Sequence, residues 1–151
     1  MNKRIVMRTV LYILVIIWMG VIFYLSSMSR DDSDVTSKGL LYKIVSISNV
    51  SEDKIDGIVE EYNVVIRKVA HVSEYLILSI LVYLSLIYSD VSINKSIIIS
   101  IIVCVLYSIS DEVHQLFVNR GGQIIDVFID SIGIFVGMFI VKIRLLLRDK
   151  C

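Results

Sequence analysis

The sequence predicts an all-α polytopic membrane protein, a single domain over 1–151. Four transmembrane helices form a bundle, with an amphipathic helical loop on the extracellular side between the first and the second. Three observations carry this. The chain is 56% hydrophobic over 151 residues with a mean hydropathy of +0.80, more apolar surface than a water-soluble fold of that length can bury. No proline interrupts it. Four apolar runs, at about 5–25, 69–88, 93–117 and 127–147, each approach the ~20 residues that cross ~30 Å of hydrocarbon.

The first run follows Lys3, Arg4 and Arg8 and has an apolar core too long for a cleaved leader, with no small-residue cleavage pattern behind it, so it reads as an uncleaved anchor. The segment 26–66 that follows is the one connection with room for more than a turn. Within it Ser51 precedes Ile55, Ile58, Val59, Tyr62, Val65 and Ile66, the apolar spacing of an amphipathic helix, with Glu52, Asp53, Asp56, Glu60 and Glu61 on its other faces. Such a helix is expected to lie on the outer leaflet, and a polar outer loop with only transient helix fits the same pattern equally well. Lys3, Arg4, Arg8, Lys95, Lys142, Arg144, Arg148 and Lys150 mark the basic side, which predicts a multi-pass protein of the cell membrane with cytoplasmic N- and C-termini. The formal charge is zero and the two cysteines, Cys104 and Cys151, are too few for a disulfide framework, which excludes nucleic acid as a partner and predicts free thiols.

Ionisable groups in hydrocarbon cost roughly 2.5 kcal/mol or more each, so their placement is informative. In "RKVAHVSEY" Arg67, His71 and Glu74 fall at offsets of four and seven, one face of a helix. Asp111, Glu112, His114 and Gln115 come late in the third run, Arg120 just past it, and Asp126 and Asp130 in the first turns of the fourth. All therefore come to one level, near the outer boundary. On the fourth run Asp126, Asp130, Gly133 and Gly137 are spaced four, three and four, which puts the carboxylates above a G-x-x-x-G packing face. Tyr107, Asp111, His114 and Gln115 form the corresponding stripe on the third.

The motifs "FYLSS" at 23–27, "RKVAHVSEY" at 67–75, "DEVHQLFVNRG" at 111–121 and "DVFIDSIGIFVG" at 126–137 resemble the VanZ-like family, named for a teicoplanin-resistance protein, in order and in spacing. The resemblance carries over Ser26, Ser27, Lys68, His71, Glu74, Tyr75, Asp111, Glu112, Gln115, Arg120, Asp126, Asp130 and Gly133. Where the family often has prolines, this chain has Met28 and Ser29, then Val118 and Asn119. The family implies an integral protein of the bacterial cell envelope, linked in some members to low-level glycopeptide resistance.

His71, Glu74, Asp111, Glu112, Asp126 and Asp130 are thus the candidate acid–base groups. Ser26, Ser27, Arg67, Lys68, Tyr75, Gln115 and Arg120 are the candidate substrate-binding groups. No cofactor is expected, and no ligand spacing such as H-E-x-x-H speaks for a metal. The expected partners are the lipid bilayer and a lipid-linked cell-wall precursor or lipid head group. Three roles suit the same residues: catalysis on such a precursor, binding that shields it, or charge pairing that only holds the helices together.

Overall fold

The computed structural model describes residues 3–28, 30–47, 52–117 and 123–148. It is all helical there: α1 (Lys3–Ser27), α2 (Arg30–Ile47), α3 (Glu52–Ile87), α4 (Ile93–Phe117) and α5 (Ile124–Arg148). α1, α3, α4 and α5 contain segments long and apolar enough to cross a membrane, and large apolar side chains such as Ile16, Phe128, Phe135 and Phe139 stand exposed on them. In a bilayer those faces meet lipid, which also explains why the helices supply all their own backbone hydrogen bonds. The chain is a multi-pass membrane protein.

The segment 26–66 is more ordered than its sequence suggests. It contains α2, which periodicity did not reveal, and the amphipathic stretch after Ser51 is no separate leaflet helix, because α3 runs unbroken for 36 residues from Glu52. The expected boundary near 69 is therefore not a helix boundary, and the stretch long and apolar enough to cross a membrane begins earlier, at Ile55. At 1.5 Å per residue α3 is about 54 Å long, well beyond ~30 Å of hydrocarbon. Its N-terminal half carries Asp56, Glu60 and Glu61 and pairs antiparallel with α2. Ser37 and Leu41 face Val59 and Asn63, all four buried. Ser37 Oγ donates to Asn63 Oδ1, Tyr42 donates to Asp56, and Lys38 Nζ lies 3.9 Å from Glu60. Ser51 itself lies outside the described residues.

α3 is the axis of the bundle, touching each of the other four helices, with α5 its most extensive neighbour. Two glycines allow that closeness. A Cβ on Gly133 would collide with the Val72 carbonyl, and one on Gly137 with the Ser79 hydroxyl and, at 3.0 Å, the Leu76 carbonyl oxygen. Around this crossing Ile22, Tyr75, Leu78, Val82, Cys104 and Ile134 form one core cluster. Tyr83, Met138 and Val141 form another towards the α3–α4 turn.

That turn is a Schellman cap: Val91 N–H bonds Leu86 O at 3.1 Å and Asp90 N–H bonds Ile87 O at 3.2 Å, with Asp90 at φ 64° in the left-handed region the motif requires. The start of α1 is tied to the same turn, Arg4 Nη2 lying 2.5 Å from Asp90 Oδ1 and Tyr12 Oη 3.1 Å from Ser89 Oγ. The opposite end of the bundle, where α1 and α4 finish and α5 begins, carries the polar groups.

Candidate functional site

α4 delivers its polar groups along a stripe. Ser96, Ser100, Cys104 and Ser108 recur every four residues and lead into Asp111, Glu112 and Gln115, all of them buried. Small side chains let α4 approach its neighbours, and the acids at the end of the stripe are carried into the same interface. α5 adds Asp130, fully buried one turn before Gly133, and Asp126, half-buried. α3 adds His71 and Glu74, and α1 adds buried Ser26 in its last turn.

These residues divide into two sets by how their hydrogen bonds close. In the first, Ser26 Oγ donates to Asp111 Oδ1 at 2.6 Å. Gln115 Nε2 donates to Glu112 Oε1 at 3.0 Å and to Asp111 Oδ2 at 3.4 Å, and Gln123 N–H donates to Glu112 Oε2 at 2.9 Å. Every carboxylate oxygen of Asp111 and Glu112 thus has a donor, supplied by α1, α4 or the residue before α5. Buried polar groups matched in this way cost little.

The second set does not close. Asp130 Oδ2 accepts the Ser108 hydroxyl at 2.6 Å, but its Oδ1 faces His71 Nδ1 at 3.5 Å. Both atoms are buried, and neither has a hydrogen-bond partner among the described residues. Glu74 Oε2 is 4.0 Å from the same Nδ1. The buried Tyr75 hydroxyl likewise has no hydrogen-bond partner among the described residues. Asp126 acts electrostatically on His71 and on Glu112.

The open set borders a cavity of about 290 Å³. Its wall is Leu25, Ser26 and Met28 of α1, Thr36, Ser37 and Leu40 of α2, and Ile66, Arg67, Ala70, His71 and Glu74 of α3. α2 therefore closes a space that the membrane helices alone leave open. Apolar side chains make up about half the lining, and the convergent polar groups come from the α3 face that carries Arg67, His71 and Glu74. A cavity of this size and mixed lining suits a polar head group with an apolar attachment.

The sequence candidates separate accordingly. Ser26, Arg67, His71 and Glu74 meet at the cavity. Asp130 stands directly behind His71, and Asp111, Glu112 and Gln115 form the closed set beside it. Ser27 and Lys68 are exposed, the Ser27 hydroxyl bonding its own helix at Phe23 O, 2.6 Å away. Arg120 lies outside the described residues. His114 and Tyr107 turn, like Asp111, towards α1: the His114 ring packs 4.2 Å from that of Phe23, and Tyr107 Oη donates to Met19 O at 2.6 Å, both fastening α1. Among the described residues no three histidine, cysteine or acidic side chains are arranged to hold a metal ion.

Two contributors escape a reading of the sequence. Ser108 anchors Asp130, and its signal was present in the four-residue spacing of Ser96, Ser100, Cys104 and Ser108. Trp18 Nε1 donates to Glu74 O at 2.9 Å, holding α1 against the α3 face of the cavity, and nothing in its apolar run distinguished it.

Comparison with known proteins adds one positive finding. The model of the VanZ/LLP1 family matches residues 10–147, nearly the whole chain. No curated protein matches, and no solved structure does.

Proposed function

The chain belongs to the VanZ/LLP1 family, and from that premise we propose that its cavity takes the polar head of an amphiphile. Lipid-linked cell-envelope precursors are the substrate class, and altered teicoplanin susceptibility is the cellular consequence. The observation that carries this reading is the junction of the 290 Å³ cavity with buried polar atoms that have no hydrogen-bond partner among the described residues, His71 Nδ1 and Asp130 Oδ1, at one end of a membrane bundle. Leaving such atoms unmatched costs about 1–3 kcal/mol each. With cytoplasmic termini, which the basic ends favour, the cavity lies at the outer leaflet, where such precursors are used.

A second reading applies to the closed set. Asp111, Glu112, Gln115 and Ser26 satisfy one another across α1 and α4, so their role is to hold the bundle, with Gln123 fixing the approach to α5.

Binding tests the proposal. The full chain in lipid nanodiscs is titrated with a polyprenyl-diphosphate-linked sugar, and a plain phospholipid serves as the comparison. Ala70→Trp fills the cavity and is expected to weaken binding at least tenfold, whereas Ile16→Trp on the lipid-facing side of α1 leaves it unchanged. Equal binding by the two variants refutes the cavity as the site.

A further inference from the structure

We propose that His71 and Asp130 form a carboxylate–imidazole pair that keeps the ring proton on Nδ1, so that Nε2 faces the cavity as a proton acceptor for a ligand hydroxyl or water. The proposal rests on the cavity being the ligand site and adds which atom exchanges a proton there.

Geometry supplies the argument. Asp130 is wholly buried, and Ser108 occupies its Oδ2 at 2.6 Å. That bond fixes the carboxylate plane and turns Oδ1 towards α3. His71 Nδ1, 3.5 Å away, is the one described nitrogen facing it, and neither atom has a competing hydrogen bond. A small rotation of the His71 side chain closes the bond, and removing two unmatched buried atoms favours that rotation. The His71 side chain keeps 23% of its surface exposed and lines the cavity although Nδ1 is buried. Of the two ring nitrogens only Nδ1 is both buried and unpartnered, which leaves Nε2 as the nitrogen on the accessible side.

In a neutral imidazole one nitrogen donates and the other accepts, and the partner of the first decides the second. With Nδ1–H given to Asp130, Nε2 holds a lone pair. When it takes a proton from a ligand hydroxyl or from water, the O–H bond breaks, an N–H bond forms at Nε2, and the oxygen keeps the electron pair as a nucleophile. The imidazolium produced faces Asp130 from α5 and Glu74 on its own helix. Asp126 and, further off, Asp111 and Glu112 also act on it, an acidic surround that stabilises the new charge. His71 is then the proton-exchanging residue, and Asp130 and Ser108 are positioning residues.

The test reads the tautomer directly and needs no ligand, so its failure is distinct from a failure of binding. The full chain, labelled with nitrogen-15 histidine, is reconstituted in bilayers and observed by NMR at a pH where the rings are neutral. The chain has two histidines, and loss of one signal set in His71→Gln assigns the other to His114. The expected result for His71 is a protonated Nδ1 and a bare Nε2. Asp130→Asn, whose side-chain oxygen still accepts, retains that form, while Asp130→Ala converts most of the population to the Nε2–H form. An Nε2–H ring in the unmutated protein overturns the proposal, because the proton would then belong to Asp130 and the ring could only donate. A tautomer unmoved by Asp130→Ala overturns it as well. If Asp130→Ala does not fold, the unmutated spectrum alone still decides.

Discussion

Replacing Gly133 with alanine should destabilise the bundle even though the same change at Gly20 of α1, where nothing lies within 4 Å of the added Cβ, is favourable. A Cβ at this position meets only backbone of α3: the Val72 carbonyl oxygen, its carbon at 2.9 Å and Leu76 N at 3.1 Å. None of these atoms can rotate aside, so α5 must retreat by roughly an ångström, a gap that forfeits a quarter or more of each facing contact. A buried side chain makes 40–60 contacts of about 0.1–0.2 kcal/mol each, so losing a quarter costs roughly 1.5 kcal/mol. Ile134 and Leu78, packed in the same cluster, bring the loss to about 3 kcal/mol on the same basis. Helix propensity returns about 1 kcal/mol for glycine to alanine, leaving a net loss of about 2 kcal/mol, within the range for overpacked cores. Gly20 on α1 has nothing within 4 Å of its would-be Cβ, so Gly20→Ala keeps the propensity gain of up to about 1 kcal/mol. The two variants should differ by about 3 kcal/mol, more than a hundredfold in the folding equilibrium. Reversible unfolding of each full-length variant in mixed micelles measures the difference. Equal stability would refute the backbone crossing, and with it the packing that sets Asp130 beside His71.

Other consequences follow from the same contacts. Asp111→Ala should lower protein abundance in membranes by removing the acceptor that joins Ser26 of α1 to Gln115 of α4, two hydrogen bonds worth about 0.5–1.5 kcal/mol each, whereas His71→Ala should leave abundance near normal while removing function. Quantitative blots beside a teicoplanin-susceptibility assay separate the two, and equal abundance would dissolve the division into a closed and an open set. At the α3–α4 turn, Asp90→Val should cost roughly 1–2 kcal/mol because a β-branched residue resists the left-handed conformation, while Asp90→Gly should be tolerated because the exposed ion pair with Arg4 contributes less than about 1 kcal/mol. Thermal unfolding of the pair checks this. Reporter fusions should report position 150 on the cytoplasmic side and position 50 outside. The reverse orientation would remove envelope precursors as the ligand class.

Four membrane-length helices were legible in the sequence because hydrocarbon thickness imposes a length and a composition on each run. The common level of His71, Glu74, Asp111, Asp126 and Asp130 was legible too, since depth follows from counting residues along helices of known rise. So was the packing face at Gly133 and Gly137, because a period of 3.6 shows which residues share a side. Tertiary structure alone decided what each side meets. Periodicity names a face but not its partner, so the meeting of α5 with the Val72 carbonyl of α3 could not be read in advance. α2 gave no local signal because it is polar on average and its order comes from docking on the far half of α3. The continuity of α3 was hidden by the change from polar to apolar composition near residue 69, which leaves the backbone unaltered. Which acid is satisfied and which is left open was likewise beyond reach, since it depends on hydroxyl and amide donors arriving from other helices within about 3 Å. Ser108 reaches one oxygen of Asp130 and nothing described but His71 faces the other, an outcome of side-chain geometry across three helices that no spacing along one of them records.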